Sequence, residues 1–271
     1  MSRAVTPSCA QLRLLLLVWL TASPGAVAGE GITLRGRFLL HGNVPEAREL
    51  VVNKDIECCG QHPIESEDFV VGPRRGLQNV VVYIRDKAVP LPAGDAPEPV
   101  VININDCRFE PHVAIARTGQ EVIVRNNDPV GHNTNVACIN NPPQCCWPPQ
   151  ARDEVRTFPS PEFIPAAITC NMHPWMSAWL LIRPNPYACV SDANGDFQIA
   201  HIPPGTWELQ FWHEKLGYIT EMTIDGVRKS VAKGRMKIEF GTEDEDLGEI
   251  VLDYGRLFVG KAEPSDGAES R

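Results

Sequence analysis

Beyond its first thirty residues the sequence has no apolar run long enough to cross a bilayer. It has no stretch of normal helix length in which apolar residues recur every 3.6 positions, and no internal repeat. Those absences exclude a helical membrane protein, a helix bundle and a solenoid. Positive charge is also scarce: 25 Lys and Arg stand against 34 Asp and Glu, for a net charge of −9. Much of the excess lies in Glu243–Glu249 and the last ten residues. No basic face is available for nucleic acid, so none is expected as a partner; the acidic groups read as solvated surface. Aromatic residues make up only 7 % of the chain, while Pro (24) and Gly (21) are frequent and Val, Ile and Leu are plentiful. That mixture suits a β-rich protein with many turns.

The amino terminus reads as an export signal. Arg3 and Arg13 flank a short n-region, Leu14–Leu20 with Trp19 form an apolar core, and Ala26-Val27-Ala28 is a small-x-small cleavage site. Residues 1–28 are therefore expected to be a signal peptide, and the mature chain to be soluble and periplasmic or extracellular. Cys9 precedes the apolar run, so a lipid anchor is not expected. In an exported protein the remaining thiols tend to pair. Cys58 or Cys59 with Cys107, and Cys138 with Cys145 or Cys146, are plausible bridges; the sequence does not fix the connectivity of these cysteines or of Cys189.

Three blocks follow. In the first, Ile32–Phe38 alternates apolar and polar residues, Glu49–Val52 and Phe69–Val71 are further short candidate strands, and Gly76–Ile84 is a turn leading into a β-branched run. Pro90, Pro92, Pro97 and Pro99 mark a linker. The second block carries candidate strands at Val100–Ile104, His112–Ala116, Glu121–Arg125, Ile168–Cys170 and Trp179–Ile182. Between His132 and Phe163 no regular element is assigned, and the Cys/Pro-rich stretch 138–149 has no evident role. In the third block Asn194-Gly195 gives a hairpin signal. Strands are expected at Phe197–Ile199, Trp207–Trp212, Met236–Phe240 and Glu249–Leu252, with a frayed tail over 255–271.

One constellation carries chemistry. Cys170-Asn171-Met172-His173-Pro174-Trp175-Met176 places a thiol, an imidazole and a thioether at two-residue intervals after a short apolar run. Upstream, the turn Asn126–Gly131 presents His132 and Asn133. One thiolate, two imidazoles and a weak axial thioether form the donor set of a blue-copper electron-transfer site. Pro174 stiffens the loop by fixing its own backbone, Trp175 packs over it, and Asn133 is placed to tie the two loops together with a backbone donor toward the Cys170 sulfur. Zinc gains little from a thioether. His112 reads as an ordinary strand histidine, and Asp192, Asn194 and Asp196 as a tight turn lacking the further ligands of a calcium loop.

Cys-x-x-His-x-x-Met after a strand, with the upstream Asn-x-Asp-x-x-x-His-Asn turn and the run Phe109–Asp128, resembles the cupredoxins, in particular the amicyanin/plastocyanin-like type. The resemblance covers roughly residues 99–183. It implies a Greek-key β-sandwich, one mononuclear type 1 copper ion held by His132, Cys170, His173 and Met176, and one-electron transfer. The long insertion after His132 departs from the pattern. In the third block, Asp192-x-x-Gly-x-Phe-x-Ile-x-x-Ile-Pro-Pro-Gly-Thr-Trp-x-Leu is similar to the carboxypeptidase regulatory-like (transthyretin-like) sandwich. The opening segment usual for that family lies in the first block, at Gly76–Ile84. The expected organisation is therefore discontinuous: residues 30–88 with 186–254 form one sandwich, and 99–183 are inserted in it or packed beside it. The expected fold class is all-β.

The function expected is that of an exported electron carrier whose redox partner docks near His173 and Trp175, with His173 close to the surface. The alternative is a structural or partner-binding protein of two sandwiches with an empty metal site. Met- and His-rich tracts, which a copper store would need, are absent. So is the His-x-His pair from which a second copper cluster is built, so an enzyme is not expected.

Overall fold

The structure, a computed structural model, describes residues 31–44, 46–92, 96–142 and 153–257. The expected signal peptide, Cys145, Cys146 and most of the expected tail lie outside the described residues. Among the described residues the chain is all-β, with helices no longer than four residues at α1 (Ile56–Cys59) and α2 (Tyr254–Leu257).

The first strands are β1 (Ile32–His41) and β2 (Val81–Ile84). The central part of the chain forms β3 (Val100–Asn105), β4 (Arg108–Glu110), β5 (Val113–Arg117), β6 (Glu121–Asn126), β7 (Asn135–Ala137), β8 (Glu154–Thr157), β9 (Ala166–Thr169) and β10 (Ser177–Arg183). The last part forms β11 (Ala188–Val190), β12 (Asp196–Ile202), β13 (Gly205–His213), β14 (Gly217–Tyr218), β15 (Glu221–Ile224), β16 (Val227–Ser230), β17 (Arg235–Phe240) and β18 (Glu245–Asp253).

Strands pair within two sets. β12-β1-β18-β15-β16 make one sheet and β11-β2-β13-β14, with β17 on β13, another. Alternation drives their packing. Ile32, Leu34, Phe38 and Leu40 of β1 point inward, with the polar residues of the strand outward or at the edge. Phe38 stacks on Phe197 at 5.1 Å and meets Phe211 edge-on at 6.0 Å. Each fully buried side chain of that size contributes about 1.5–3 kcal/mol. The central strands form β4-β3-β6-β8 and β5-β10-β9-β7, closed over Ile102, Ile104, Phe109, Val122, Ile168 and Leu180. A smaller cluster of Val81, Tyr83, Val113, Leu181 and Trp212 joins the two sets.

Several expectations are corrected. Glu49–Val52 and Phe69–Val71 are not strands and make only the single bridges Glu49↔Glu65 and Val71↔Leu77. Residues 48–66 instead form a strap, closed on itself by Leu50 N→Ile64 O (2.7 Å) and Ser66 N→Arg48 O (2.8 Å). Cys59 and Ile64 of the strap are buried in the core of the central sheets. The Asn194-Gly195 turn is real, with Gly195 at φ 79°, where an added Cβ would lie 2.0 Å from the Phe38 carbonyl oxygen. It is not a hairpin, because β11 and β12, on its two sides, belong to different sheets. The Asp192 carboxylate accepts the amides of Asn194 (2.8 Å) and Asp196 (2.9 Å), which closes this corner between layers. Finally, β7 and β8 occupy the stretch after His132 to which the sequence pattern assigns no element.

Candidate metal centre

The register of three strands builds the site. β9 and β10 are antiparallel, with Ser177 opposite Thr169, so residues 170–176 form the loop of a hairpin. Within it Met176 N donates to His173 O (3.0 Å) and Cys170 N to Met176 O (3.4 Å). On the other edge of β9, β7 pairs with Asn135 opposite Thr169. That register draws His132 and Asn133 alongside Cys170 and Asn171. Asn171 N donates to Asn133 Oδ1 at 2.8 Å, and Cys170 Sγ lies 3.3 Å from the same oxygen. The link between the loops is thus made by the Asn133 side chain.

The donor atoms of His132, Cys170 and His173 all lie within 4.8 Å of one another. Cys170 Sγ is 3.7 Å from His173 Nδ1, and the two imidazole rings are 4.5 Å apart. All three residues are buried. Met176 is buried too, and its backbone closes the loop. Pro174 is exposed, and Trp175 is half-buried with its ring 5.0 Å from that of His173.

Each imidazole is oriented by a carboxylate. His132 Nε2 is 2.9 Å from Asp128 Oδ2. Asp128 is itself fixed by the amides of Asp106 (2.8 Å) and Cys107 (2.9 Å), in the turn between β3 and β4. This leaves His132 Nδ1 a buried nitrogen with no hydrogen-bond partner. Burial, reinforced by neighbouring His173, pushes the His132 pKa below its ordinary value and keeps its lone pair free, despite the opposing charge of Asp128. His173 Nε2 is 2.7 Å from Asp55 Oδ2.

A buried thiol beside two imidazoles, one with an orphaned inner nitrogen and both bonded to carboxylates at the outer one, fits a thiophilic transition metal.

Asp55 has no signal in the sequence. It begins the short helix α1 in the strap, with φ 48°. The strap is tethered by a Cys59–Cys107 disulfide, which selects Cys59 over Cys58 as the partner of Cys107. Cys58 keeps its thiol, within 4.8 Å of both bonded sulfurs. The expected bridge from Cys138 to Cys145 or Cys146 involves residues outside those described. The strap also overturns one expectation: His173 does not approach the surface but is 0 % exposed, with Asp55 laid against its outer nitrogen.

No protein-family profile matches the chain, and no curated protein does. Several solved structures are similar to part of it. A Cu-containing nitrite reductase (NirK) from Thermus scotoductus SA-01 is 21 % identical over 36 % of this chain and 26 % of its own, with a TM-score of 0.29. The chain thus spans about a quarter of that reductase's length. The reduced Cu(I) form of an amicyanin point mutant is 17 % identical over 38 % of this chain and 98 % of its own, with a TM-score of 0.29. A purple cupredoxin from Nitrosopumilus maritimus is 18 % identical over 31 % of this chain and 98 % of its own, with a TM-score of 0.26. No helix among the described residues is long and apolar enough to cross a membrane.

Proposed function

We propose that residues 99–183 form a cupredoxin-like domain that holds one type 1 copper ion through His132, Cys170, His173 and Met176 and carries single electrons between redox partners outside the cytoplasm. The observation that carries this reading is the buried convergence of one thiol and two carboxylate-oriented imidazoles. Copper bound there supplies one-electron exchange between Cu(I) and Cu(II). The chain supplies rigidity. The Cys170–Met176 loop is closed at both ends by backbone hydrogen bonds, braced by Pro174 and tied to the His132 loop through Asn133. Burial of the three donors keeps water from rearranging around them.

The same reading makes residues 30–88 with 186–254 a second sandwich of the carboxypeptidase regulatory-like kind. Its support is that β1, β2 and β11–β18 pair only with one another. The strap from the first part of this unit seals the histidine edge of the metal domain. A partner therefore meets the outer face of the strap, with exposed Pro174 and half-buried Trp175, rather than His173 itself. A small patch of this kind suits brief docking.

Loading purified protein with Cu(II) is the test. An intense visible band that Cys170→Ser abolishes is expected. A colourless wild-type complex, or a band that survives the substitution, overturns the proposal.

A further inference from the structure

Apart from the Cys170 loop, three segments converge on His112. Its backbone is fixed by Trp179 N, which donates to its carbonyl at 2.8 Å. Its side chain is only 4 % exposed. Nε2 lies 2.5 Å from Glu214 Oε2, just beyond β13. Nδ1 is buried, has no hydrogen-bond partner, and belongs to a ring lining a cavity of about 200 Å³. Facing it is Glu67 Oε2, at the end of the strap, at 3.7 Å.

That separation is too wide for a hydrogen bond. It is close to the spacing of two donors that share a cation: metal–ligand bonds of about 2.0–2.2 Å place them roughly 3.3–3.5 Å apart at a tetrahedral angle, and farther apart as the angle opens. Glu214 stands where a supporting carboxylate stands behind a metal-bound imidazole, holding the N–H of the outer nitrogen so that the inner lone pair faces the cavity. The surroundings are net negative. Glu65 and Asp68 also line the cavity, as do Arg48 and Arg108; Arg108 is drawn to Glu110 at 3.6 Å and Asp68 is paired with Lys215 at 2.8 Å. Burial opposes charge on the His112 ring, yet the bond to Glu214 and the charges of Glu214, Glu67 and Asp68 hold its pKa above the ordinary value, so a metal ion here competes with a proton for Nδ1 and binds more tightly as pH rises.

We propose that His112 Nδ1 and Glu67 bind a divalent cation of the zinc or copper(II) class, with Glu214 orienting the imidazole and cavity solvent completing the coordination. The cavity is also lined by Pro174, Trp175 and Met176 of the Cys170 loop, but the site uses neither the thiol nor the two imidazoles of that centre. A bound ion joins the strap to the edge of β5, adding coordination to the packing between these two segments.

The experiment uses the full chain carrying Cys170→Ser, which cannot form a copper–thiolate band. It is titrated with Cu(II) and followed by paramagnetic resonance and equilibrium dialysis. One equivalent with an axial, nitrogen- and oxygen-ligated signal is expected in addition to any ion that His132 and His173 still hold. Adding His112→Gln removes that equivalent, and adding Glu67→Gln weakens it at least tenfold. Glu67 is 30 % exposed, so its replacement leaves packing intact if the His112 variant fails to fold. A Cys170→Ser protein that binds no such ion, or binds it equally well with Glu67→Gln, overturns the proposal.

Discussion

Replacing Asp55 by Ala tests the link between the strap and the metal centre. In the wild type the Asp55 carboxylate lies 2.7 Å from His173 Nε2, on a ring that is 0 % exposed. Without it the ring keeps a buried donor with no acceptor, which costs about 1–3 kcal/mol. Asp55 is itself 35 % exposed, and its loss lets water reach the ring, so the lower part of that range applies to folding. For metal binding a second route gives the same scale. Loss of a carboxylate supporting a histidine ligand weakens a site about 10–100-fold, which is about 1.4–2.7 kcal/mol. Competition against a chelator of known copper affinity measures this directly. Asp55→Ala is expected to bind copper at least tenfold more weakly. Asp55→Asn, which keeps an oxygen acceptor, should recover most of the difference. The blue band should persist in both, because neither touches the thiolate. An Asp55→Ala protein that holds copper within about twofold of the wild type would refute the idea that the strap supports the centre.

The tether has its own signature. Cys59 and Cys107 are 48 residues apart, for which the chain-entropy account of a cross-link gives about 4 kcal/mol. The Cys59→Ala/Cys107→Ala pair should lose about 2–4 kcal/mol in denaturant titration, and a loss below about 1 kcal/mol would show that the strap is ordered without it. Both cysteines must be changed, since Cys58 lies within reach of Cys107. His213, fully buried at the end of β13, has its pKa lowered to about 4, chiefly by burial. The unfolded chain therefore takes up this proton first. The stability associated with a neutral His213 is complete above about pH 6.5 and is lost as pH falls toward 4, by roughly 3 kcal/mol in all. His213→Gln should flatten that part of the stability–pH curve. An unchanged curve would mean that other groups govern the acid side.

The donor side chains are readable in the sequence because they follow a fixed local spacing. His173 comes three positions after Cys170 on the loop that closes β9 and β10, and that loop length is itself part of the chemistry. The long strands are readable for a related reason: β1 alternates along most of its ten residues and β13 from Trp207 to Phe211, enough to stand out from chance. Asp55 is invisible because nothing local marks it. It reaches His173 from an irregular strap, through a contact 118 positions long in sequence. β7 and β8 escape notice because three or four residues carry no period, and β16 because all four of its residues are exposed. The Asn194-Gly195 pair shows where the chain turns but not which sheet it enters afterwards, because backbone chirality fixes the turn and packing between layers fixes the exit.

β2 and β11 are paired neighbours, with Tyr83 opposite Ala188 and Val81 opposite Val190, yet the whole central part of the chain lies between them. All of β3 to β10 leaves from and returns to a single ladder rung. Such a segment is anchored at two adjacent points and again through the Cys59–Cys107 bridge, so it cannot swivel as a bead on one linker would.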